Sequence, residues 1–382
     1  MRCMAGLSEY CVMEMKKKHE KESFDSALKV QEGIPQPPVL NESAIKKFKR
    51  TRRQLPSVEA FMEGILNFNR TIFSQAITLV ESALPEHQAL AQEIIARCLP
   101  HAGNSVRLGV TGVPGAGKST FIEALGTFLT NNGHKLAVLA IDPSSSRSKG
   151  SILGDKTRME GLSTHPNAFI RPSPSAGSLG GVARKTRETI IICEAAGFDT
   201  IIVETVGVGQ SEIAVHSMVD FFLLLMISGA GDELQGIKRG IMEMADAIAV
   251  NKADGDNKSK AQIACMQVKN ALHLFPLPES GWSPPAITCS SLTGDGIPGV
   301  WDTITEYNRF TRDNGYFRLK RQQQSKQIMI DSIDQRLHDH FYLNPEIKTA
   351  LRQVEHKMLT DQVTPYQAAA QLLELYFRAM GK

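Results

Sequence analysis

An apolar run at 106–110 leads into Gly112, Val113, Pro114, Gly115, Ala116, Gly117, Lys118, Ser119 and Thr120, and a helical pattern follows. This stretch matches G-x-x-x-x-G-K-[ST], which functions only as a turn between a buried strand and the amino end of a helix. No other feature constrains the fold as strongly, because it demands a strand whose carboxyl end faces a ligand. In such a loop the glycines let backbone N–H groups wrap the α- and β-phosphates. Lys118 neutralises the β- and γ-oxygens, and Ser119 offers a hydroxyl to Mg²⁺. A dinucleotide fingerprint fails, since Thr120 stands where its third glycine belongs. The ligand class is a nucleoside triphosphate.

Further short apolar runs at 136–141, 168–171, 200–203, 221–227, 247–250 and 286–288 alternate with amphipathic segments. This texture predicts an α/β domain over 105–315, with a central, mainly parallel sheet flanked by helices. Ahead of it, Val58, Phe61, Met62 and Ile65, then Ile72, Ala76, Ile77, Leu79 and Val80, have helical spacing, with Ser57 as N-cap and a further helix at 86–99. A helical N-terminal domain is expected over 46–104, its basic cluster at 46–53 reading as a solvated helix start. Residues 1–45 lack sustained periodicity and are expected to be a mobile leader. A charged C-terminal helical arm is expected over 316–382, with helices near 345–359 and 365–380. Its apolar stripe Ile330, Ile333, Leu337 and Phe341 reads as core, packed on the main domain or on a second subunit.

Composition narrows the function classes. Hydrophobic residues make up 42% and charged residues 22%, an ordinary globular profile, and the net charge of +3 implies no nucleic-acid partner. The longest apolar run, 221–227, is far too short to cross a bilayer, so no membrane is implied. Cysteines at 3, 11, 98, 193, 265 and 289 form no CxxC pair, and Glu9, Glu14, Glu20 and Glu22 argue against a targeting peptide. A reducing, cytoplasmic setting is expected. No Cys/His cluster has metal-ligand spacing, and His338 and His340 fall on different faces of a helix.

Asn251, Lys252 and Asp254 follow an apolar run, where a loop reaches a nucleobase across the strand ends. A carboxylate at Asp254 can accept from both the ring N–H and the exocyclic amine of guanine, whereas adenine lacks that amine. Ser290, Ser291 and Leu292 follow the next apolar run, placed to support the guanine oxygen. The nucleotide is therefore GTP rather than ATP. Glu204 ends a buried run, a position that either holds a metal or caps the next helix, and Gly207 permits close approach to the γ-phosphate. Asp142 likewise ends a run, and Asp155 lies in a polar loop where Gly-Asp is also ordinary turn chemistry.

From about Arg52 onward the chain resembles the P-loop GTPases associated with methylmalonyl-CoA mutase. The resemblance is carried by Asp142-Pro-Ser-Ser-Ser, Gly150-Ser-Ile-Leu-Gly-Asp-Lys-Thr-Arg-Met159, Arg171-Pro-Ser-Pro, Gly180-Gly-Val-Ala-Arg-Lys-Thr-Arg-Glu188, Glu204-Thr-Val-Gly-Val-Gly-Gln-Ser-Glu212 and Gly231-Asp-Glu-Leu-Gln-Gly-Ile-Lys-Arg-Gly240. It implies a GTP/GDP-binding chaperone of an adenosylcobalamin-dependent acyl-CoA mutase, gating cofactor loading and protecting or reactivating that enzyme. It further implies a Mg²⁺ environment of Ser119, Asp142, Asp155 and Glu204, with Lys118 and the three carboxylates as catalytic groups, and a homodimer. Gln235 and Lys238 become switch or partner residues, or helix-surface residues in the alternative. Lys149 departs from the glycine usual in the family, and Val208 stands where many GTPases have a catalytic Gln, so slow intrinsic hydrolysis stimulated by the partner is expected. A nickel metallochaperone and a small-molecule kinase are the competing readings; the first lacks Cys/His ligands, and the second would transfer phosphate to an acceptor other than water.

Overall fold

Each apolar run forms a strand, and together they build one sheet. The strands are β1 (Val106–Gly112), β2 (Leu136–Ile141), β3 (Ala168–Pro172), β4 (Thr200–Thr205), β5 (Phe221–Ile227), β6 (Ala247–Asn251) and β7 (Ala286–Thr288). Their order is β3-β2-β4-β1-β5-β6-β7, with every neighbouring pair parallel. β2, β4 and β6 are buried at every position, which is why they read as unbroken apolar runs rather than alternating ones. β1 lies centrally, between β4 and β5, and the chain winds to opposite sides of it. Ligands of open α/β sheets bind at that reversal, outside the carboxyl ends of the strands. The computed structural model describes residues 55–141, 159–172, 179–205, 211–228 and 239–381. Contacts gather Pro56–Lys382 into one unit.

Among the described residues, three α-helices precede the sheet: α1 (Val58–Leu66), α2 (Arg70–Glu81) and α3 (Pro85–Cys98). Ser57 and Asn69 accept backbone N–H bonds at the starts of α1 and α2, and Pro85 opens α3 where no intrahelical N–H is needed. Their apolar faces do not close on themselves. Phe61, Phe73, Ile77 and Ile94 share one buried cluster with Ile201 and Val203 of the sheet. Arg171 of β3 pairs with Glu81 of α2, and Arg70 donates to the Ala168 carbonyl at 2.5 Å, fastening the helices to the β3 edge.

The remaining helices of the α/β body are α4 (Lys118–Asn131), α5 (Glu160–Thr164), α6 (Leu179–Ala195), α7 (Ser211–His216), α8 (Arg239–Met244), α9 (Lys258–Leu272) and α10 (Ile297–Asp313). On the face opposite α1–α3, Phe121, Leu125 and Leu129 of α4 pack with Leu108, Leu223, Ile304 and Tyr307. The sheet is thus covered on both sides, as all-parallel sheets require.

The chain continues through α11 (Tyr316–Tyr342), α12 (Pro345–Leu359) and α13 (Pro365–Ala379). The first turns of α11 are clamped to the amino ends of the strands. Arg321 donates to both carboxylate oxygens of Asp220, at 2.8 and 2.7 Å, and to the carbonyls of Gly103 and Ser105, at 2.6 and 2.8 Å. Lys320 donates to the Asp220 carbonyl at 2.7 Å. Farther along, three residues of the stripe expected to be core are open, Ile330, Ile333 and Leu337 at 38%, 49% and 60% exposed, while the fourth, Phe341, is half-buried against Tyr376. At 27 residues, α11 is about 40 Å long, and it stays fastened to α6 as far as the Arg187–Asp331 ion pair. Among the described residues no helix is long and apolar enough to cross a membrane.

Candidate functional site

The phosphate end of the site forms where β1 gives way to α4. At Gly112, φ is +154° and a Cβ would stand 2.4 Å from the Leu225 carbonyl oxygen, so only glycine lets the chain leave the sheet there. Gly117, with φ +86°, is the N-cap of α4 and supplies no side-chain cap. The first N–H groups of α4 are thereby left to meet an anion, at the positive end of the helix dipole. Lys118 curls over its own loop, donating to the carbonyls of Gly112 at 2.8 Å and Val113 at 3.4 Å. Burial pulls its pKa below the ordinary lysine value, while the charges of Glu204 and Glu212 work against that fall. Bound phosphate oxygens would strengthen the same opposition.

One residue beyond Lys118, Ser119 donates to Glu204 Oε1 at 3.1 Å. Glu204 is buried near the end of β4, in register with Val110 of β1 and Ala140 of β2. Beside it Thr205 donates to Thr111 at 2.9 Å and knits the same strand ends together. A hydroxyl and a carboxylate make an oxygen-only donor set, the chemistry that a hard divalent cation takes.

At the base end, Asn251 closes β6 with its side chain buried. Its Nδ2 donates to the Ala116 carbonyl at 2.8 Å, and its Oδ1 accepts from the Ser291 amide at 3.1 Å and the Ser291 hydroxyl at 2.8 Å. Asn251 therefore braces the phosphate loop against the loop after β7. Lys252, exposed, has φ +60°, a left-handed bend rare outside glycine. Asp254 is half-buried and accepts from Ser290, whose hydroxyl in turn accepts from the Thr293 amide at 3.2 Å. Leu292 is 81% exposed.

Strand ends thus bring together the 112–120 loop, Glu204, Asn251, Lys252, Asp254, Ser290, Ser291 and Leu292. Asp142, Asp155, Gln235 and Lys238 lie outside the described residues, as do Lys149, Gly207 and Val208. Two contributors escape sequence reasoning. Glu212, buried at the start of α7, acts on Lys118, yet in sequence it reads only as an acid in a first helical turn. Asn257 closes the turn after Asp254, and an Asn before a helix reads as an ordinary cap. Among the described residues no group of three or more His, Cys, Asp or Glu side chains is placed to hold a metal ion.

Comparison with known proteins agrees with this geometry. A family model described as methylmalonyl Co-A mutase-associated GTPase MeaB matches residues 73–346. A probable GTPase of Mycobacterium tuberculosis is 46% identical over 319 residues, spanning 84% of this chain and 95% of its own. GTPase ArgK of Escherichia coli is 46% identical over 305 residues, 80% of this chain and 92% of its own. The mitochondrial methylmalonic aciduria type A homolog of Mus musculus is 44% identical over 329 residues, 84% of this chain and 79% of its own. The crystal structure of a LAO/AO transport system kinase, 38% identical, superposes with a TM-score of 0.67 and covers 85% of this chain and 99% of that one. The chain belongs to the methylmalonyl-CoA mutase-associated GTPase family, and it is a P-loop GTPase that takes guanine nucleotide.

Proposed function

We propose that this GTPase is a chaperone of an adenosylcobalamin-dependent methylmalonyl-CoA mutase, using GTP to gate cofactor loading and to protect or reactivate its client. The observation that carries the chemistry is the Ser119–Glu204 bond at the mouth of a phosphate loop whose base end is braced by Asn251. The family description and the name of the mouse relative support the choice of client.

Lys118 and the backbone amides of the loop hold and neutralise the phosphates, while Glu204 orients Ser119. Water is the nucleophile. Ser119 and Glu204 would hold Mg²⁺, with Asp142 and Asp155 as sequence-based candidates to complete the set, and the ion would supply charge neutralisation on the phosphates. Val208 in place of a catalytic Gln favours a slow intrinsic rate. Gln235 and Lys238 are the proposed switch residues through which the client accelerates turnover. The open stripe Ile330, Ile333 and Leu337 supports a homodimer built on the C-terminal helices. Absence of any CxxC pair supports a reducing, cytoplasmic setting.

The test is hydrolysis of labelled GTP by the purified chain, with and without the cobalamin-dependent mutase and with ATP as competitor. GTP-selective turnover that rises with mutase is expected. A rate indifferent to saturating mutase would remove the client. The similar crystal structure is that of a transport system kinase, which keeps phosphoryl transfer to a small acceptor as a second reading. Label found on anything other than inorganic phosphate would favour it.

A further inference from the structure

Asn257 occupies the N-cap of α9, yet its side chain caps nothing there. With φ −85° and ψ −10° its backbone is already helical, so the side chain turns away from the first N–H groups of α9 and bonds elsewhere. Its Nδ2 donates to the Lys252 carbonyl at 2.6 Å, and its Oδ1 accepts from the Ser228 hydroxyl at 2.5 Å. A carbonyl only accepts, so the amide has one orientation open to it and Oδ1 must face Ser228. Meanwhile the Asn257 backbone N–H donates to the Asp254 carbonyl at 3.0 Å and closes the turn Gly255–Asn257.

The two residues it joins are not arbitrary. Lys252 carries the left-handed bend that takes the chain from Asn251, which braces the phosphate loop, to Asp254. Ile227 is in register with Asn251, so Ser228 and Lys252 leave the sheet side by side. One side chain therefore ties the loop between Asn251 and Asp254 to the residue that follows β5.

We propose that Asn257 is a positioning residue for guanine recognition. It locks the Lys252 bend and, through Ser228, makes nucleotide affinity depend on how the chain leaves β5. The inference rests on the reading of Asp254 as the guanine acceptor.

The test is titration of the full chain with methylanthraniloyl-GDP and methylanthraniloyl-GTP, for Asn257→Ala, Asn257→Asp, Ser228→Ala and the Ser228→Ala/Asn257→Ala double variant. Loss of one such bond is expected to weaken affinity by about three- to tenfold, with kcat at saturating GTP unchanged. The double variant should bind no worse than Asn257→Ala, because among the described residues the Ser228 hydroxyl bonds to the loop through Asn257. The aspartate is decisive. A carboxylate at the amino end of α9 suits the helix dipole, so melting temperature should hold or rise. It also sets an acceptor against the Lys252 carbonyl, so affinity should fall at least as far as with alanine.

A residue that serves only the fold would move melting temperature and affinity in the same direction. Wild-type binding by Asn257→Asp, or additive losses from Ser228 and Asn257, would overturn the proposal. Asp254→Asn separates the two levels. If that variant keeps its GTP affinity, the guanine reading fails and the proposal falls with it. If it trades GTP for xanthosine triphosphate while the Asn257 variants bind normally, the positioning role alone fails.

Discussion

Ser119 and Glu204 lie 85 positions apart in the chain and share a hydrogen bond of 3.1 Å, which ties the first turn of α4 to the carboxyl end of β4. The pair sets a hydroxyl and a buried negative charge beside the ammonium of Lys118, whose pKa is held up in part by that charge.

Glu204→Gln keeps the shape and removes the charge. Hydrolysis should fall by about a hundredfold, the usual loss when one preorganised electrostatic group is removed. GTP affinity should change far less, because the phosphate loop and the base end are untouched. Single-turnover kinetics beside a binding titration separates the two, and an unchanged rate would remove Glu204 from the chemistry.

Asn251→Ala cuts four hydrogen bonds at once, one to Ala116, two from Ser291 and a weak one from the Cys289 thiol. The partners left unpaired each cost about 1–3 kcal/mol if they stay dry. Nucleotide release should therefore speed up at least tenfold, and the melting temperature without nucleotide should drop as well. Stopped-flow displacement of a fluorescent GDP measures the first effect, and calorimetry the second.

Arg321→Met strands the buried Asp220 carboxylate. Removing one partner of a buried ion pair costs about 3–5 kcal/mol, and here two backbone carbonyls lose their donor too. Urea denaturation should show a loss of that size. Replacing Asp220 by Asn in the same chain should recover part of it, since the uncompensated charge is then gone.

Acid sensitivity has an identifiable contributor in His216. Burial, helped by the charge of Lys320, pushes its pKa down to about 4 from an ordinary 6.5. Between those values the unfolded chain holds the proton and the folded chain does not. Stability contributed by this site is therefore fully present above pH 6.5 and is lost as pH falls toward 4, by about 3 kcal/mol in all. His216→Phe, which keeps a ring against Phe222, should flatten urea midpoints across that window.

Much of this architecture could be read from the chain because parallel strands buried on both faces leave unbroken apolar runs, of which Phe221–Ile227 is the clearest. The strands outrun their apolar runs at one consistent place. Apolar runs end at Val110, Val203 and Val250, whereas pairing continues to Gly112, Thr205 and Asn251. Those extra positions are polar or glycine because they face the ligand crevice, so hydrophobicity marks where the core ends and not where the strand ends. Glu212 and Asn257 were invisible for another reason. Each acts across space, on Lys118 and on Ser228 with Lys252, and no local pattern records such partners. The stripe on α11 was legible as apolar, but periodicity cannot say whether the covering surface belongs to the same chain.

The Arg321 clamp also bears on the order in which the molecule can be assembled during synthesis. Its acceptors at Gly103 and Ser105 precede it by 218 and 216 positions. At a translation rate of about 5–20 residues per second, roughly ten to forty seconds separate the two ends of that contact. β1, the first strand made and the centre of the sheet, must meanwhile wait for β4 and β5 to cover its two edges. The strand that carries the phosphate loop is thus first off the ribosome and, at its amino end, last to be locked in place.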